Sequence, residues 1–352
     1  MDVDARLLGS AALPGARELL HGRPFEVREG GGHRALLLHG AELEVHELAA
    51  LFAGERAPEL VFPLPWPGWG LGGHSVDPAR TFAAFSGQRS VRAVNADGTT
   101  RWVYAHACWD QHVGHPHTGD ERQVCPGIES GSCRVSDDGR LVWAHVVLEA
   151  GDDPGDYLEG WVVLDAEDGR ELARLPLPDS VASGSWQLAH PDGAHMGLCV
   201  GMGQDGVLVY WGRRDGRELT VHDELNDGLD RILFDVHPAH AGFLTVEHNG
   251  NDLQLHALDG TVLAENDEMW WDHSCGFLDG DTVLADSQDD DARDPETPGT
   301  WLLDARTLER HGRVRYPAGV APDGPVRSLG DGTWLTYDGK SETVSRWTRA
   351  GS

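Results

Sequence analysis

The chain has 352 residues, and its 28 Lys+Arg against 58 Asp+Glu give a formal net charge of −30. Hydrophobic residues make up 40 % of it, enough for a sizeable core and too many for a compositionally disordered chain. A surface this anionic argues against nucleic acid as a partner, because phosphate binding needs a basic face.

The first 22 residues lack a basic region followed by an apolar run, so they do not read as a signal peptide. No stretch of the chain reaches the ~18 consecutive apolar residues of a membrane span. The five cysteines, Cys108, Cys125, Cys133, Cys199 and Cys275, are an odd number in a long chain and do not suggest a disulfide framework. These features set the expectation of a cytoplasmic protein with no membrane partner. Helical periodicity is confined to residues 14–22 and 42–53, and the second stretch competes with a strand reading.

From there a unit repeats. It is an apolar strand, a polar turn often written Asp-Gly, and a second apolar strand. Its turns end at Gly98, Gly169, Gly216 and Gly260, with weaker copies near Leu48, Leu308 and Gly351. The intervals are close to 47 residues, except one of 71 between Gly98 and Gly169. That interval is a normal repeat carrying an insertion. Earlier in each unit another apolar strand runs into a tight turn, as in GSWQLAHPDGAHMGLCV and LFDVHPAHAGFLTV. The runs Leu141–Leu148 and Trp161–Asp165 are short and rich in Val and Trp, which suits strands buried on both faces.

Four short strands per ~45-residue unit is the pattern of a β-propeller blade. The expected blades span 24–65, 73–106, 131–177, 184–224, 229–268 and 273–315, with a seventh starting near 324. The seventh runs out of chain before its outer strand. A segment within residues 3–22 is therefore expected to supply that strand and close the ring, hiding edges that would otherwise pair with other chains. The fold expected is all-β, a single seven-bladed propeller over 1–352, with a His/Cys-rich insertion at 107–130 between blades 2 and 3.

On its turn-plus-glycine repeat the chain resembles the WD40-like propellers, as a divergent bacterial member. His190-Pro191-Asp192-Gly193 is similar to that family's turn between its first two strands, and Trp161–Asp165 resembles its third-strand signature. The Trp-Asp dipeptide that closes the family's third strand is missing from every blade, as is the opening Gly-His pair, so the family's His–Asp network is not carried over. The resemblance implies an interaction module.

Two sets of residues could carry function. Four of the 19 histidines fall between His106 and His117, with His112 and His115 among them and Cys108 inside the run, a density that marks a metal-ligand candidate. His74 and His273 open equivalent first strands, so with His112 they could hold one zinc, copper, iron or manganese ion at a channel mouth, which would make the chain a metal-dependent enzyme of lyase, hydrolase or oxygenase type acting on a small-molecule substrate. The alternative is a polar loop and inner-strand histidines bonded to backbone. The second set is aromatic and acidic: Trp66, Trp69, Trp109, Trp270 and Trp271, with Asp289, Asp290 and Asp291 in an acidic loop at 289–298. Stiff aromatic rings beside carboxylates suit a protein or peptide partner with a basic surface. Ser130-Gly-Ser132 and Ser183-Gly-Ser185 recur at equivalent blade entrances and read as turn chemistry. Gly68-x-Gly70-x-x-Gly73 precedes a strand and not a helix, which speaks against a dinucleotide site.

Overall fold

The computed structural model describes residues 2–12, 25–27, 33–66, 71–110, 124–125, 127, 129–150, 157–178, 180–222, 225, 230–239, 242–250, 252–288, 299–318 and 326–351. They form antiparallel sheets with almost no helix. β1 (Val3–Ala12) precedes a sheet in the order β2 (Phe25–Val27), β3 (His33–His39), β4 (Glu42–Glu47) and β5 (Leu60–Pro63). Four more such sheets follow in strict chain order. They are β6–β9 (His74–Val76, Phe82–Ser86, Ser90–Asn95, Thr100–Ala105) and β10–β13 (Cys133–Val135, Leu141–Ala150, Tyr157–Asp165, Glu171–Leu177). Next come β14–β17 (Gly184–Ala189, His195–Gly201, Val207–Asp215, Glu218–His222) and β18–β21 (Arg231–Val236, Phe243–Glu247, Leu253–His256, Val262–Asn266).

The last sheet has eight strands in the order β22-β23-β24-β25-β1-β28-β27-β26. Here β22–β25 are Trp271–Phe277, Thr282–Ser287, Gly299–Asp304 and Arg310–Arg315, and β26–β28 are Arg327–Ser328, Thr333–Asp338 and Thr343–Arg349. β1 runs antiparallel along β28, from Ala5 opposite Arg349 to Ala12 opposite Thr343. The N-terminal segment thus supplies the strand that the last group lacks. A short parallel pairing of Val3 and Asp4 with Val314 and Arg315 joins β1 to β25.

The repeated turns have one backbone cause. Gly98, Gly169, Gly216, Gly260 and Gly351 all sit at positive φ, a conformation that costs glycine little. The weaker copy at Leu308 adopts the same left-handed conformation, φ 57°, without a glycine. The copy expected near Leu48 differs. There β4 ends at Glu47 and a one-turn helix, α1 (Leu48–Phe52), leads to β5, because Leu48 and Leu51 turn onto a core with Ala35, Leu335 and Val344. Both competing signals over 42–53 were real, in succession. Residues 14–22 lie outside the described residues.

The chain divides into two compact units. One comprises Met1–Leu37, Val45–Glu59 and Leu229–Ser352; the other comprises Leu38–Glu44 and Leu60–Gly228. The second unit packs around tryptophans: Trp109, Trp143, Trp161 and Trp211 are fully buried, with Trp143 and Trp161 tilted at 4.9 Å. In the first unit Trp271, Phe277, Leu303 and Leu308 fill one cluster, while Trp334 and Trp347 fill another. Among the described residues no helix is long and apolar enough to cross a membrane.

Candidate functional site

The second unit carries a small, open concavity where β5 hands over to β6. It is lined by Leu38, Leu64, Trp66, Leu71, His74 and Phe85, so two residues singled out from the sequence, Trp66 and His74, share one concavity. Trp66 is its buried wall. The Arg92 guanidinium lies over that ring at 5.5 Å, and a Cβ at Gly87 would fall 2.6 Å from it. Leu38 and Leu71 stand on the rim, 46 % and 45 % exposed. Apolar side chains are left at the surface here around a concave floor, the arrangement of a binding site for an apolar group. Trp69 lies outside the described residues.

The His/Cys insertion enters through a well-packed stem. Trp109 is fully buried and meets the His145 ring edge-on at 5.1 Å. The Gln88 side chain accepts from the Cys125 amide at 2.6 Å and donates to its carbonyl at 3.2 Å, while Asp110 accepts from the Gly127 amide at 3.0 Å. Both ends of the loop are therefore pinned. Cys108 is buried with its sulfur 3.6 Å from that of Cys125, and burial pushes its thiol up to about 12. Burial likewise pushes the His106 imidazole down to about 4. His112, His115 and His117 lie outside the described residues.

Trp109 and Trp271 were expected on an aromatic rim. Both are fully buried instead, because each anchors an inter-sheet connection into core: Trp109 on β11 and Trp271 among Leu253, Cys275 and Ala285. A partner cannot touch them. Trp270, the neighbour of Trp271 in an extended segment, faces the other way and is 36 % exposed. Beside it the exposed His273 stacks on His248 at 5.6 Å, with its Nε2 2.8 Å from the His248 carbonyl, and His248 Nδ1 lies 2.8 Å from Asp230. His273 is thus tied to backbone. Asp289, Asp290 and Asp291 lie outside the described residues.

Sequence reasoning missed a buried polar chain in the second unit. His145 and Glu159 are both fully buried, with His145 Nε2 2.9 Å from the Glu159 carboxylate. Glu159 also accepts from the Ser180 hydroxyl and from the Ala182 amide at 2.7 Å. Burial alone would raise the Glu159 carboxyl; the bonds from His145, Ala182 and Ser180 outweigh it and hold the group below its ordinary range. On the other side, His145 Nδ1 is 3.0 Å from the Ser185 hydroxyl, which is 2.8 Å from that of Ser132. Gln187 then donates to Ser132 and accepts from the Trp161 indole. The two Ser-Gly-Ser repeats therefore meet hydroxyl to hydroxyl. The order serine–histidine–carboxylate is that of an activated nucleophile. Here, however, the Ser185 hydroxyl is engaged on both sides and the histidine is sealed, so the chain braces β10, β11, β12 and β14. Its sequence signal was one polar residue inside each of two apolar strands, LVWAHVVL and YLEGWVVLD.

Among the described residues one group places three metal-ligating side chains together: His190, Asp192 and His195, with ligand atoms within 4.8 Å of one another. It sits on the turn between β14 and β15. It does not include His74, His273 or Cys108.

No family model matches the chain, and no curated protein matches it. Solved structures do. The beta-propeller domain of Cps50 (Swd1) from Myceliophteria thermophila matches with a TM-score of 0.53 at 8 % identity, over 98 % of this chain and 99 % of that one. BamB from Moraxella catarrhalis matches at 0.48 and 12 % identity, over 99 % and 98 %. The dihydro-heme d1 dehydrogenase NirN in complex with DHE matches at 0.50 and 16 % identity, over 90 % of this chain, which spans 63 % of that protein's length. The likeness to the Swd1 domain, with the succession of four-stranded sheets, defines the class: this is a β-propeller.

Proposed function

We propose that the chain is a seven-bladed, WD40-like binding platform that holds a protein or peptide partner in the cytoplasm. Seven blades follow if β22–β25 count as one and β26–β28 with β1 as another. The antiparallel β1–β28 pairing supports closure by strand exchange. The observation that carries the binding reading is the cleft at Trp66 and His74, rimmed by Leu38 and Leu71. Its exposed apolar rim over the Trp66 ring suits an apolar side chain of a partner laid across it. The net charge of −30 favours a partner with Lys or Arg beside that anchor, steering it over long range. The five cysteines are buried thiols without disulfides, which suits a reducing compartment.

A peptide library displayed on phage and panned on the immobilised chain tests this. The expected winners carry an aromatic or aliphatic residue flanked by Lys or Arg, and their binding weakens with added salt. Leu71→Asp, a change on the exposed rim, should lower their affinity at least about tenfold, the equivalent of roughly 1.4 kcal/mol. No enrichment, or peptides indifferent to Leu71→Asp, would remove the platform at this cleft.

A further inference from the structure

We propose that His190, Asp192 and His195, on the turn between β14 and β15, form a binding site for one divalent transition-metal ion of the zinc class. The case rests on comparing two repeats of the same turn. In the next sheet, the β18–β19 turn is His237-Pro238-Ala239 and ends at Gly242, with the His237 amide bonded to the Gly242 carbonyl at 2.8 Å. The β14–β15 turn is His190-Pro191-Asp192 and ends at His195, with the matching amide–carbonyl bond at 3.2 Å. In both, the first histidine's Nδ1 faces the amide two residues on, at 3.0 Å from Ala239 and 3.3 Å from Asp192. The closing amide–carbonyl bond and the first imidazole are thus common to both turns. The Asp192 carboxylate and the His195 imidazole are additions, placed where the other copy has Ala239 and Gly242.

Those additions converge on the shared histidine. Asp192 Oδ1 is 3.0 Å from His190 Nδ1, and Oδ2 is 2.7 Å from His195 Nδ1. His190 Nδ1 lies within reach of both the Asp192 amide and the Asp192 carboxylate, so a cation held there would take the lone pair from the longer amide contact. Two such acceptors at this distance need a proton or a cation between them. Asp192 is held ionised: desolvation would raise its carboxyl, but the His195 amide, both imidazoles and the Ala194 amide hold it well below its usual range.

The rings are also set in place by packing. Trp211 meets His190 edge-on at 5.9 Å and stacks on His195 at 6.0 Å and 16°. His190 is fully buried while Asp192 is exposed, so an ion here would have rigid ligands behind it and water in front. Two imidazole nitrogens and one carboxylate oxygen are ligands that zinc, copper, nickel and cobalt(II) share, and three protein ligands leave a position open to water. Tetrahedral binding draws such atoms to roughly 3.5 Å of one another. The Asp192 contacts at 3.0 Å and 2.7 Å would open slightly to that spacing, while the widest separation in the group, within 4.8 Å, would close to it.

The test uses the full chain, stripped with chelator, then titrated calorimetrically with zinc chloride and followed by visible absorption with cobalt(II). Wild type should take up one equivalent of either ion, with tetrahedral cobalt bands, and its melting temperature should rise with zinc. His195→Gln and Asp192→Asn change the two ligands nearer the surface and leave the fully buried His190 in place. Each should lower zinc affinity at least about tenfold and abolish the zinc-dependent rise in melting temperature. Metal-free melting of both variants, compared with metal-free wild type, separates ligand loss from misfolding. A chain that binds neither ion, or binds equally well in both folded variants because the ion sits at the 106–117 histidines, would overturn the site.

Discussion

Glu159 shows how one buried side chain sets a pH limit on the fold. Its carboxylate is fully buried between His145, Ser180 and Ala182, and its pKa in the folded chain lies below the ordinary 4.5. The stabilisation this provides is present above about pH 4.5 and is lost as pH falls from there through the depressed folded value. Glu159→Gln should therefore cost about 3–5 kcal/mol near neutrality, the usual result of stranding one member of a buried pair. It should also flatten the acid side of the stability curve. Urea midpoints measured across the acid range check both, and an unchanged acid limb would remove Glu159 as its cause. Asp286 on β23 works in the opposite sense. Burial pushes its carboxyl from 3.8 up to about 7, the Asp272 charge adding to the rise and a Thr300 bond opposing it. The folded chain holds a proton there that the unfolded chain has released, so stability falls as pH rises from 3.8 to about 7. Asp286→Asn should remove that slope and raise the urea midpoint at mildly alkaline pH.

At the scale of elements, the terminal strand carries the sharpest consequence. β1 has no hairpin partner in sequence; it finds β28 across more than 300 residues, over a register running from Ala5–Arg349 to Ala12–Thr343. Removing residues 1–12 should leave the β28 edge unpaired. A lower melting temperature and concentration-dependent aggregation are the expected results, since an exposed edge templates pairing with other chains. Light scattering and a thermal melt check this; an unchanged, monomeric truncation would show that the pairing contributes nothing. The expected run Leu141–Leu148 lies inside β11, whereas Trp161–Asp165 is only the second half of β12. Gly98, Gly169, Gly216 and Gly260 mark turns by backbone chemistry alone, and the turns bound the strands. The exception was the connection after β4, where helix and strand signals overlapped. Only the burial of Leu48 and Leu51 against Ala35, Leu335 and Val344 decided it.

For the whole molecule, composition and repeat were enough to reach the class. A repeat of short apolar strands cannot bury its faces alone, and within the second unit the β10–β13 sheet packs its face against β14–β17. The candidate site was legible only in part. Trp66 and His74 share a cleft, yet Trp109 and Trp271, equally conspicuous in the sequence, are core. A tryptophan's chemistry is the same in either place; which face of a strand it occupies depends on register, and one residue of shift reverses it, as Trp270 and Trp271 demonstrate. His145 and Glu159 escaped notice, and Ser132 and Ser185 read only as turn residues, because their partners lie on different strands, as far as 55 residues apart in the chain. The sequence by itself thus determined the strands, the turns, the order of the sheets and the anionic field, all of which depend on local pattern or on sums over residues. Only the tertiary structure decided which polar groups meet, which aromatics face solvent, and that three ligands gather at His190, Asp192 and His195. Those outcomes depend on distances between strands, and no local pattern encodes them.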